Sequence, residues 1–160
     1  MFVVVCILAV GAAVGVGAAI FSHRKVGVAS IPASVQTAVH FQLYAPTVLP
    51  GTFRISPTSY SLQENASIVV FTATDETGST INITEQAKPN DLNFANFYAT
   101  QMQNTATLDD VPYSSVWGKS PDGGRNMLSV VTDTTWILVS STAPITEDNM
   151  KDIAKGLRPQ

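Results

Sequence analysis

Residues Phe2 to Phe21, FVVVCILAVGAAVGVGAAIF, carry no charge, and Cys6 is their most polar side chain. At about 1.5 Å of rise per residue, one helix of this length crosses a hydrocarbon core of roughly 30 Å. In lipid a helix satisfies its own backbone hydrogen bonds, which no other isolated segment can do. The expectation is a transmembrane anchor over residues 1–25, with the rest of the chain held at a membrane surface. A cleaved secretory signal is the rival reading, with Ala18-Ala19 as the small residues at a cut. It lacks a basic n-region and its apolar run is longer than a typical signal core, so an uncleaved anchor is expected.

Gly11 and Gly15 form one GxxxG spacing, continued by Gly17 and Ala18. Small residues so placed let a second helix approach closely, and they mark a candidate helix–helix contact for a homodimer through the span. Gly and Ala are also common in membrane helices for their own sake. Cys6 reads as a small apolar filler, since Val5 stands where a lipid-attachment site would need a small residue. His23, Arg24 and Lys25 follow the span, and the positive-inside rule taken alone puts the domain in the cytoplasm. Beyond residue 26, however, the chain is rich in Ser, Thr, Asn and Gln and has no cysteine, as exported bacterial domains are. The expected location is the plasma membrane, single-pass, with the domain extracytoplasmic.

The chain has 160 residues, so about 120 remain for one domain with its own core. Two of the nine Lys and Arg flank the span, leaving seven against twelve Asp and Glu in the domain. Such a surface repels phosphate backbones, and no basic stripe is interleaved with aromatics, which argues against nucleic-acid binding. A single cysteine allows neither an intrachain disulfide nor a thiolate metal site.

Residues 26–37, with Gly27, Ser30 and Pro32, read as a weakly patterned linker, and residues 38–160 as the domain. Val39, Phe41 and Leu43 alternate with polar neighbours and predict a first strand over 38–44, stopped by Pro46, Pro50 and Gly51. A second short strand is expected around 52–56, ended by Pro57. The clearest hairpin runs from 67–74 through Asp75-Glu76-Thr77-Gly78 to 79–85, with Val69, Phe71, Ala73, Ile81 and Ile83 apolar. Over 91–103, Leu92, Ala95, Tyr98 or Ala99, and Met102 recur at helical spacing and predict a stripe on the sheet. Three strands follow, over 113–119, 126–132 and 135–141, as an antiparallel meander. The last helix is signalled by Thr146 as N-cap, Glu147 and Asp148 in its first turn, and Lys155 and Arg158 in its last. Its buried stripe is expected to be Met150, Ile153, Ala154 and Leu157. The fold class is α+β: an antiparallel sheet of about five to seven strands with two helices packed on it.

Phe41-Gln42-Leu43-Tyr44-Ala45-Pro46-Thr47-Val48-Leu49-Pro50-Gly51-Thr52-Phe53 resembles the "yP..LP.Gf" opening of small bacterial single-pass membrane proteins that carry an extracytoplasmic α+β domain of unknown function. That domain type is also attached to anti-sigma-factor-like and lipoprotein-sorting-like proteins. The ending, Trp136 to Ser141 followed by Ile145-Thr146-Glu147-Asp148-Asn149-Met150-Lys151-Asp152-Ile153-Ala154, is similar to the closing strand and "s.eel..IA" helix of the same domains. The resemblance covers nearly all of residues 40–158. It implies a fold and a location, and supplies no catalytic residues.

No catalytic, cofactor or metal site emerges from the residues. His40 is the only histidine of the domain and stands on the polar side of its strand, where a surface role outweighs catalysis. No GxSxG elbow or glycine-rich phosphate motif is present. Asp75-Glu76 and Asp109-Asp110 are adjacent carboxylates that read as turn residues, and Asp122-Gly123-Gly124 lacks the spaced oxygens of a calcium loop. Asn65-Ala66-Ser67 and Asn82-Ile83-Thr84 match a glycosylation sequon, which bears only on a eukaryotic secretory host. Phe94, Phe97 and Trp117 are the candidate partner-binding residues: with the helix over 91–103 covering only part of the sheet, Phe94 and Phe97 are expected to lie off its buried stripe and to line a groove or a partner contact. The expected function is a non-enzymatic, membrane-anchored envelope protein whose domain binds a protein or lipidic partner in envelope sensing or assembly. A pilin-like subunit and a small hydrolase built on His40 are the alternatives.

Overall fold

The computed structural model describes Arg24–Lys25 and residues 31–160. The expected span, with Gly11 and Gly15, lies outside the described residues. No helix among the described residues is long and apolar enough to cross a membrane.

Chain order is β1 (Arg24–Lys25), α1 (Ala33–Ala38), β2 (Tyr44–Pro46), β3 (Val48–Leu49), β4 (Arg54–Ile55), a 3-10 turn (Pro57–Ser59), β5 (Ser61–Gln63), β6 (Ile68–Thr74), β7 (Thr80–Ala87), α2 (Phe94–Gln101), β8 (Gln103–Thr107), β9 (Ser114–Lys119), β10 (Asn126–Val131), β11 (Thr135–Ser141), α3 (Glu147–Gly156) and β12 (Leu157–Pro159). The fold is α+β, as expected, with more strands than the sequence suggested. One antiparallel sheet has eight strands, ordered β4-β6-β7-β11-β10-β9-β8, with β5 also paired to β6. β12 pairs with β2, and β1 with β3.

The centre of the sheet follows from side-chain alternation. In β6, Val69, Phe71 and Ala73 are fully buried and point inward with Ile81 and Ile83 of β7. Ile137 and Val139 of β11, and Leu128 and Val130 of β10, continue the same face. The β6–β7 turn is closed by Asp75, whose Oδ1 accepts from the amides of Thr77 and Ser79 at 2.9 and 2.8 Å. Burial would raise the Asp75 pKa, but its hydrogen bonds from Thr77 and Ser79 outweigh that and hold it below the ordinary value. Gly78 takes φ +85°, a conformation that glycine adopts without a Cβ clash.

α3 matches its signals closely. Thr146 Oγ1 accepts from the Asn149 amide, and Met150, Ile153 and Ala154 are buried against the inner face. Leu157, expected in that stripe, is buried as the first residue of β12, and Arg158 lies in that strand instead of the helix. A third helix also covers the inner face: residues 33–38, five of them in the expected linker and Ala38 at the start of the expected first strand, form α1, and Ile31 and Val35 join the core.

The expected strand over 38–44 is only partly present. Val39 and Leu43 are buried as the alternation implies, but ladder pairing begins at Tyr44. Residues 41–43 are held instead by isolated bonds, Thr135 Oγ1 to the Gln42 carbonyl and the Gln160 amide to the Leu43 carbonyl. Residues 31–49 thus form a strap across the inner face.

β8 was not foreseen, because QNTAT has no apolar alternation and all five residues are exposed. It exists because it pairs with β9 at the sheet edge. Gly118 of β9 makes this pairing sterically feasible: a Cβ there would stand 2.7 Å from the Gln103 carbonyl oxygen and 3.1 Å from Thr105 Cγ2. Gly118→Ala is expected to push β8 off the edge and cost about 1–3 kcal/mol, measured by chemical denaturation.

Candidate functional site

The outer face of the sheet carries two of the three aromatic residues that the sequence singled out, Phe94 and Phe97. α2 begins at Phe94, three residues later than expected, because Asn93 is its N-cap and accepts from the Asn96 amide at 3.0 Å. Its stripe differs in part. Tyr98 rests on the sheet and Met102 is buried, as expected, but Ala95 is exposed, and Phe94 and Phe97, expected off the stripe, are half-buried on the sheet with Tyr98 at i, i+3 and i+4. Large rings displace small alanines from the contact because they remove more apolar area from water.

Their target is Trp136 of β11, which is out of phase with Ile137 and Val139 and so points outward. The Phe94 and Phe97 rings meet it edge-on, at centroid separations of 5.6 and 5.0 Å. Trp136 Nε1 donates to Ser129 Oγ at 2.9 Å, and the Tyr98 hydroxyl lies 3.3 Å from the same oxygen. Burial raises the Tyr98 pKa against the opposing hydrogen bond from Ser129. Ser129 is fully buried, so Ser129→Ala leaves the indole N–H without its acceptor. The expected cost is about 1–3 kcal/mol, followed by tryptophan fluorescence during denaturation.

α2 covers only part of this face. Beside Trp136, the outward side chains of β7, Asn82, Thr84 and Gln86, are half-exposed, as is Thr72 of β6. Gln86 is the cross-strand partner of Trp136 and Thr84 that of Leu138, so the aromatic group borders an uncharged polar surface. Trp117 does not belong to it. Its register partner is Leu128, which places it on the inner face, half-buried against the core with a buried Nε1 that has no hydrogen-bond partner.

The inner face holds a residue that the sequence reading passed over. Glu85 is in phase with Ile81 and Ile83, is fully buried, and lies between Val69 and Ile137 in cross-strand register. The strand period was the available signal: TINITEQ continues its inward face onto Glu85. Its Oε2 accepts from the Tyr44 amide of the strap at 2.9 Å, and Oε1 has no partner. Burial pushes its pKa up to about 8, only partly offset by the Tyr44 bond. Tyr60, stacked on Phe71 at 4.7 Å, has a buried hydroxyl without a partner. Burial, and then the charge of Glu85, push its pKa up to about 12.

His40 is exposed and lines an open groove of about 460 Å³ at the strap, with Gln36, Phe41, Gln42, Thr134 and Gln160 among its neighbours. The groove is lined by no serine and no Asp or Glu side chain, so a triad built on His40 gains no support there. Among the described residues no three His, Cys, Asp or Glu side chains are grouped to hold a metal. Asp109 and Asp110 are exposed, and Asp110 pairs with Lys151 at 3.6 Å. Asp75 is engaged in its turn. No known protein family, curated protein or solved structure matches this chain.

Proposed function

We propose that this chain is a non-enzymatic, membrane-anchored protein of the cell envelope whose α+β domain docks a protein or lipidic partner on the α2 side of its sheet. One observation carries the reading: Phe94 and Phe97 are half-buried around Trp136 at the border of a sheet face that α2 leaves open. Half-exposed aromatics beside satisfied polar groups supply contact area at little entropic cost. Trp117 drops out of the binding set because it faces the core. The anchor rests on the uncharged run from Phe2 to Phe21 and the extracytoplasmic placement on composition.

Two measurements on the full chain in intact cells test the reading. A photo-crosslinking residue at position 97 is expected to give a specific adduct that the same residue at Glu76, on the exposed hairpin tip, does not give. A protein-sized adduct identifies a protein partner and a lipid mass a lipidic one, whereas equal or absent labelling at the two positions overturns the docking surface. External protease is expected to digest the domain in intact cells. Protection until lysis overturns the extracytoplasmic placement.

A further inference from the structure

Glu85 lies where the strap meets the sheet. The strap closes over its carboxyl at Tyr44, and the Tyr60 phenol stands near enough to feel its charge. The groups that face it are the Tyr44 amide and the Tyr60 phenol. Val69 and Ile137 flank it across the strands, and α3 presents Met150, Ile153 and Ala154 to the same core. Among the described residues no Lys, Arg or His is paired with it.

We propose that Glu85 is a proton-operated latch for the strap formed by residues 31–49. With the carboxyl protonated, the group is neutral, tolerates the core and holds the Tyr44 amide through Oε2. Loss of the proton leaves a buried carboxylate with one hydrogen bond and, among the described residues, no paired cation, and lifting the strap is the movement that solvates it. The closed state is poorly satisfied even when neutral, since Oε1 and the Tyr60 hydroxyl are both buried without partners. The strap's other ties are the Thr135 bond to the Gln42 carbonyl, the Gln42 side-chain and Gln160 amide bonds that join it to the C-terminal segment, the Thr47 amide and hydroxyl bonds to the Gly156 carbonyl, the short β2–β12 ladder, the Tyr44–Tyr113 ring contact, and the apolar burial of Ile31, Val35, Val39, Leu43, Ala45 and Leu49.

The raised folded-state pKa sets the direction. An exposed Glu85 loses its proton near the ordinary value of 4.5, and a docked one near 8. The opening constant of the strap therefore rises with pH between those values and levels off above the higher one, on the order of 100-fold from about pH 6 to about pH 9. Amide hydrogen exchange of the full chain in detergent, corrected for intrinsic rates, reads it. Residues 31–49 are expected to show this rise, with much smaller changes in β6, β7 and β11, and Glu85→Gln is expected to abolish it. A rise shared equally by the sheet amides, or one that persists in Glu85→Gln, overturns the latch. Should that variant fail to fold, the Glu85 side-chain carboxyl carbon titrated by NMR in the unaltered protein decides. A midpoint near 8 supports the latch, and one in the ordinary carboxylate range overturns it.

Discussion

Phe71→Ala is expected to lower the free energy of unfolding by about 3–5 kcal/mol, the range for removing a fully buried aromatic ring. Phe71 is 0 % exposed, stands opposite Ile83 at the centre of the β6–β7 hairpin, and carries the Tyr60 ring at 4.7 Å. Its loss removes transfer free energy and leaves a cavity that the rigid ladders on either side cannot fill. Tyr60 also loses the surface that holds its phenol beside Glu85. A domain of this size is expected to melt on the order of 10–20 °C lower, measured by circular dichroism or calorimetry. Leu62→Ala is the control: Leu62 is 41 % exposed at the sheet edge, and its replacement is expected to change stability by under about 0.5 kcal/mol.

The second large effect is a stability that declines as pH rises from about 5 to about 8. The folded-state pKa of Glu85 is raised, so between the unfolded and folded values the native chain holds a proton that the unfolded chain has lost. Stability from this group is fully present below about 4.5 and is lost as pH climbs through the folded value. Each pKa unit corresponds to about 1.4 kcal/mol, so the shift to about 8 bounds the loss at roughly 5 kcal/mol. Asp75 acts with the opposite sign and in a lower window: its depressed pKa adds stability that disappears as pH falls through its folded value. Denaturant titrations across this range are expected to give a falling profile for the unaltered protein. Glu85→Gln is expected to flatten it, because an amide fits the same site without a titrating proton. A profile that rises from about pH 5 to about pH 8 would exclude a neutral buried Glu85.

Both effects depend on positions that sequence reading treats unequally. Phe71 was legible from the alternation of β6, as were the β6–β7 hairpin, the meander from β9 to β11, and the cap and buried stripe of α3. Each rests on interactions within a dozen residues, where period and capping chemistry act directly. Glu85 was legible in phase but not in environment. Its chemistry comes from the strap closing over it at Tyr44 and from the Tyr60 phenol near it, both distant in sequence. The pairing of Phe94 and Phe97 with Trp136 was likewise out of reach, since it needs the helix–sheet rotation that large rings impose once β11 presents an indole outward.

By itself, then, the sequence determined the antiparallel α+β class, the inward faces of the central strands and the signals that start and cap α3, because these follow from local periodicity and backbone hydrogen-bonding rules. The tertiary structure alone decided that β8 is a strand, that residues 31–49 strap the inner face, and that Phe94 and Phe97 share an outer surface from which Trp117 is absent. Those outcomes are set by which distant segment supplies a ladder partner or an apolar surface, and side-chain pattern along one strand or helix carries no information about that choice.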